Sequence, residues 1–90
     1  YRRIMARYHF HLHDASGMLA DEEGVALDSP SEALRLALAN ARGLISEDVA
    51  SGVIDLNGAI QVTDEQGRTL LILPFEEAVI QVAAKPVLPR

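Results

Sequence analysis

Residues 29–52 read SPSEALRLALANARGLISEDVASG, and this stretch decides what the remainder of the chain can be. Ser29 offers an N-cap hydroxyl, Pro30 occupies the first helical position and Glu32 follows at the third. The Ser29 side chain can therefore accept from the Glu32 amide while the Glu32 carboxylate reaches back to the Ser29 amide. Beyond the cap, Ala and Leu dominate, both good helix formers. Leu34, Ala37, Leu38, Ala41, Leu44, Ile45, Asp48 and Val49 recur at helical spacing and make one apolar stripe carrying a single charge near its end. Gly52 stands where a left-handed C-terminal residue belongs, so the helix is predicted from about Pro30 to Ser51. Gly43 interrupts it at a cost of up to ~1 kcal/mol relative to Ala, which either marks a close neighbouring backbone or has no structural purpose.

On the N-terminal side, residues 7–13 alternate polar with apolar, the period of a half-buried strand. Asp14-Ala15-Ser16-Gly17 ends it as a turn. The apolar pieces Met18 to Ala20 and Val25 to Leu27 read as a return strand broken at Asp21-Glu22-Glu23-Gly24 by a second turn or bulge. On the C-terminal side, Ile60 and Val62 lead into the turn Asp64-Glu65-Gln66-Gly67, and Arg68 to Leu73 returns as the partner strand. Two readings stand for residues 53–56: a strand entering an Asn57-Gly58 hairpin, or a connector leaving the helix. Leu70, Leu71, Ile72 and Leu73 are consecutive, as in a strand covered on both faces. Pro74 ends that strand. Residues 75–83 read as a short helix with Glu76 and Glu77 in its first turn, the rival being a further β-branched strand. The predicted fold class is α+β: an antiparallel sheet of about four strands in ββ-α-ββ order, one long helix on one face and a short C-terminal helix.

Ninety residues make one domain, 1–90. At 49% hydrophobic and 23% charged, it holds enough apolar side chains to offset the entropy of ordering. With two Tyr, two Phe and no Trp, the core must be aliphatic. The absence of Cys excludes disulfides, thiolate metal sites and Cys nucleophiles. A net charge of −5 opposes non-specific contact with nucleic-acid phosphates. Arg2, Arg3 and Arg7 therefore read as a solvated terminus, and no nucleic-acid partner is expected. No stretch approaches the ~20 apolar residues of a membrane span, and no apolar leader is present, so a cytoplasmic location is the expectation. The chain opens on Tyr1, which makes residues 1–5 a candidate N-terminal extension with Met5 as the candidate natural start; residues 84–90 read as a tail.

The sharpest chemical candidate is His9, His11 and His13 in the run YHFHLHD, residues 8–14. Their side chains project from one strand face about 7 Å apart. Two such imidazoles can share a zinc ion, with a carboxylate from Asp14 or Asp21 as a further ligand, but three on one flat strand span too far for one tetrahedral centre. The competing expectation is that Tyr8, Phe10 and Leu12 face the core while the histidines line a solvated face. Asp21-Glu22-Glu23 lacks the alternating oxygen ligands of a calcium loop and reads as an exposed turn. The serines at 16, 29, 31, 46 and 51 are explained by turns, capping or the helix surface, and no glycine-rich phosphate loop is present. No enzyme activity and no cofactor is therefore expected. A core too small to cover both faces of Leu70, Leu71, Ile72 and Leu73 predicts a homo-oligomer through that sheet face.

These segments, in this order, resemble a bacterial family, domain of unknown function 6894. The resemblance is carried by Met5-Ala6-Arg7-Tyr8-His9-Phe10-His11-Leu12-His13-Asp14, Asp21-Glu22-Glu23-Gly24, Glu32-Ala33-Leu34, and Val62-Thr63-Asp64-Glu65-Gln66-Gly67-Arg68 leading to Leu73-Pro74-Phe75. It spans about residues 5–80. It implies the α+β architecture and assigns no activity, cofactor or catalytic residue.

Overall fold

The computed structural model describes residues 5–79. The basic pair Arg2 and Arg3, the proposed tail at 84–90 and the distal part of the 75–83 reading lie outside the described residues. The elements run β1 (Ala6–Asp14), β2 (Gly17–Leu19), β3 (Val25–Leu27), α1 (Pro30–Ser51), β4 (Ala59–Thr63), β5 (Thr69–Pro74) and a 3-10 turn (Phe75–Ala78). All strands join one antiparallel sheet of five, ordered β2-β1-β4-β5, with β3 also on β1. The α+β class is as predicted. The strand count rises from about four to five because the return strand is split: β2 pairs the C-terminal end of β1, and β3 pairs its N-terminal end.

α1 has the predicted limits and caps. The Ser29 hydroxyl accepts from the Glu32 amide at 3.2 Å, and Gly52 adopts φ 90° with its amide and that of Val53 bonded to Val49 and Asp48 carbonyls. The second half of the capping box gives way to an ion pair, since the Glu32 carboxylate turns to Arg35 at 2.6 Å. The buried stripe is Ala33, Ala37 and Ala41, flanked by half-buried Leu36, Leu38, Leu44 and Ile45. Leu34 and Val49, expected on the stripe, are exposed. The three alanines let the helix backbone approach the sheet, which then buries Tyr8, Phe10, Ile60, Val62 and Leu73 beneath it. Each side chain of that size contributes about 1.5–3 kcal/mol on burial.

The connector reading of residues 53–56 holds. The amides a hairpin would need are taken by side chains: Asp48 Oδ2 accepts from the Asp55 amide and Asp55 Oδ1 from that of Asn57. Gly58 serves close approach, not turn conformation. A Cβ there would lie 2.6 Å from the His13 carbonyl oxygen and 2.6 Å from Phe75 Cε2. The second hairpin forms as read. Asp64 Oδ1 accepts from the Gln66 and Arg68 amides, and Gly67 takes φ 82°. Beyond β5, the short C-terminal helix is a single 3-10 turn, because Val79 returns to extended backbone. That turn is fastened beneath the helix by Arg42 Nε donating to the Ala78 carbonyl at 2.7 Å.

β5 departs from the sequence expectation of cover on both faces. Leu73 is buried and Leu71 half-buried, while Leu70 and Ile72 are 46% and 61% exposed. A ladder irregularity between Val62 and Thr63 gives β5 one extra residue there, so Val62 pairs Leu71 and Thr63 pairs Thr69.

The two glycines predict opposite outcomes. Gly43→Ala enters open space on an exposed helix surface and should add up to about 1 kcal/mol of stability, raising Tm by several degrees. Gly58→Ala forces an overpacked contact and should cost about 1–3 kcal/mol. Thermal denaturation followed by circular dichroism checks both.

Candidate functional site

β1 separates its side chains as its period dictates. Tyr8 and Phe10 are buried against the helix layer with Leu12 half-buried beside them, and His9, His11 and His13 occupy the opposite face. The histidines are half-buried, drier than the solvated face expected from sequence, because each ring is drawn onto its neighbours by hydrogen bonds. The His9 and His11 rings stack nearly parallel, 5° apart in plane, with centroids 6.1 Å apart.

Partner chemistry places the ring protons. His9 Nδ1 lies 2.8 Å from the Asp21 carbonyl oxygen, which only accepts, so Nδ1 donates. His11 Nδ1 receives the Asp21 amide at 3.0 Å, so it holds the lone pair and Nε2 carries the proton, facing Thr63 Oγ1 at 3.0 Å. His13 Nε2 donates to Gln61 Oε1 at 2.7 Å, and Gln61 Nε2 donates to Thr69 Oγ1 at 2.8 Å. A polar ladder thus crosses from β1 through β4 to β5 on the face away from the helix.

Asp21 is the centre of this arrangement. Beyond its two backbone bonds to the histidines, its carboxylate accepts from the Phe10 amide at 3.0 Å and the Gly24 amide at 3.0 Å. The Phe10 amide falls in the gap between β2 and β3, where no strand partner exists along that edge, and the carboxylate takes the strand's place. Gly24 has φ 70°, and a Cβ there would meet the Tyr8 carbonyl oxygen at 2.8 Å and His9 Cε1 at 2.9 Å, so glycine is required. Burial pushes the Asp21 carboxyl up. The hydrogen bonds from the Gly24 and Phe10 amides outweigh burial and hold it below its ordinary value. Sequence reasoning offered Asp21 only as a possible metal ligand or turn residue. The available signal was an acid three residues before a glycine, inside an otherwise apolar return strand.

The other residues singled out from sequence are dispersed. Asp14 Oδ1 accepts from the Ser16 amide and hydroxyl at 2.8 and 2.6 Å, which holds its carboxyl below the usual range. Glu22 and Glu23 are exposed. Arg7 is tied down, its Nη1 donating to the Glu23 carbonyl and its amide to Glu65. Among the described residues, no three His, Cys, Asp or Glu side chains come together as a metal ion requires. A hollow of about 300 Å³ lies between Leu12, Leu44 and Phe75, rimmed by Asp14, Glu47, Asp48 and Asp55. Ser16 at its edge bonds Asp14, and no histidine lines the hollow to activate it.

Fold and site define a small α+β domain whose histidine face is internally hydrogen-bonded. The chain belongs to the family of the domain of unknown function DUF6894, whose model matches residues 7–76. No curated protein and no solved structure matches it. Among the described residues, no helix is long and apolar enough to cross a membrane.

Two measurements probe this site. Asp21→Ala should cost about 2 kcal/mol and speed exchange of the Phe10 amide, because it strips a charged acceptor from that N–H. The lowered folded-state value means the Asp21 contribution is complete above about pH 4, the ordinary unfolded value, and is lost as pH falls through the lower folded one. Asp21→Asn should flatten that part of the acid decline in Tm. Zinc added to tag-free protein should leave Tm unchanged, since a metal at His11 Nδ1 must displace the Asp21 amide. A zinc-induced rise that disappears in His11→Ala would establish a metal site instead.

Proposed function

We propose that this chain is a non-catalytic interaction module of the bacterial cytoplasm that associates with copies of itself through the β5 side of its sheet. The observation that carries this reading is the exposure of Leu70 and Ile72, 46% and 61%, on a strand at the sheet's margin. Isolated apolar residues on a surface need no explanation, but two on an outermost strand with neutral neighbours mark an associating surface. Of the four residues named from sequence, Leu70 and Ile72 are the ones available to a partner, while Leu71 and Leu73 serve the protein's own core. A chain of ninety residues, with one helix on one face of its sheet, also gains stability from association.

The non-catalytic part rests on how the polar groups are spent. His11 and His13 hold structural hydrogen bonds, Asp21 caps strand amides, and Ser16 faces only a carboxylate.

Sedimentation velocity at tens of micromolar should show a dimer, and Leu70→Lys or Ile72→Lys should weaken it at least ten-fold while far-UV circular dichroism stays unchanged. A wild-type monomer at that concentration overturns the reading.

A further inference from the structure

The three histidines share one face of β1, but their ring nitrogens are used differently. His9 donates from Nδ1 to the Asp21 carbonyl oxygen, and His13 donates from Nε2 to Gln61. A proton added to the other nitrogen of either ring leaves these bonds in place. His11 stands apart. Its Nδ1 accepts from the Asp21 amide at 3.0 Å, and a backbone N–H can only donate. Because Nε2 already carries the proton that faces Thr63 Oγ1, the nitrogen left to take up another is the one that the Asp21 amide occupies.

We propose that His11 is a proton-operated latch: protonation at Nδ1 sets two N–H donors against each other and releases Asp21 from β1. Whether the ring turns or the segment withdraws, the Asp21 amide loses its acceptor. The loss spreads because one residue carries every fastening here. The carbonyl of Asp21 is on His9, and its carboxylate is on the Phe10 and Gly24 amides. The released stretch is the break between β2 and β3, so acid uncovers the Phe10 amide that the Asp21 carboxylate covers. Around the His11 ring stand Arg7, His9 and His13 on β1, with Glu65 bonded at the Arg7 amide. The connection supplies Asp21, Glu22 and Glu23, while β4 and β5 present uncharged Gln61, Thr63 and Thr69. Attraction from these acids acts through space and cannot turn an amide N–H into an acceptor. The histidine face thereby makes the divided margin the part of the sheet that answers to pH near neutrality.

Amide hydrogen exchange from about pH 8 to about pH 5 tests the latch in the intact chain. Below about pH 6.5, where a free imidazole takes up its proton, protection of the Asp21 amide should fall about ten-fold per pH unit. The Phe10 amide should follow it, while amides in the middle of α1 keep their protection. This window lies above the one in which the Asp21 carboxyl takes a proton. His11→Asn puts an oxygen at the Nδ1 position that accepts without titrating, and it should flatten the profile. His9→Asn and His13→Gln keep a donor where each ring has one, and should leave the slope unchanged. Nitrogen NMR of the wild-type imidazoles should show His11 Nδ1 unprotonated at high pH and gaining its proton in step with the loss of Asp21 protection. A protonated His11 beside a still-protected Asp21 amide, or an undiminished slope in His11→Asn, overturns the proposal.

Discussion

The Phe10 amide sits on the central strand, at the point where the outer strand beside it breaks. A backbone donor left unpaired there would cost a few kcal/mol if shielded from water, and the Asp21 carboxylate removes that cost. The remainder of the sheet depends on this bond, because β1 is the strand that β2, β3 and β4 all share. One side chain replaces a missing strand residue, its own amide and carbonyl fasten His11 and His9, and its second oxygen closes the turn at Gly24. The histidines belong to this splint. They register the polar face of β1 against Asp21 on one side and β4 on the other.

The apolar face obeys a different constraint. A stripe of alanines on α1 brings the helix down onto Phe10, Ile60 and Val62, and the larger Leu36, Leu38, Leu44 and Ile45 close the flanks. Because Gly58 has no side chain, Phe75 can lie against the start of β4, carrying the 3-10 turn under the helix. Packing on this side and hydrogen bonding on the other leave Leu70 and Ile72 as the apolar groups on β5 that neither face absorbs.

Local chemistry made much of this legible in the sequence. Ser29, Pro30 and Gly52 delimit α1 because caps act within a turn or two of backbone, and Asp64 with Gly67 defines the second hairpin for the same reason. The alternation of Tyr8, Phe10 and Leu12 with the histidines held because a strand has no other period. What escaped was decided at a distance. Asp21 looked like a turn acid because its partners, Phe10 and the two imidazoles, lie ten to twelve residues away. Asn57-Gly58 resembled a hairpin because the need for a bare Cα there comes from His13 and Phe75. Leu70 to Leu73 looked covered on both faces because composition cannot reveal which face the helix takes.

The pairing of β1 with β4 sets His9 against Thr63 and His13 against Ala59, partners about fifty residues apart along the chain. Neither half of the sheet is wide enough to persist alone, since an isolated two-stranded hairpin is marginal in water. The central ladder must therefore close a long loop before it repays the entropy of doing so. The rate of folding is set less by the strong helix than by the search that brings the two hairpins side by side.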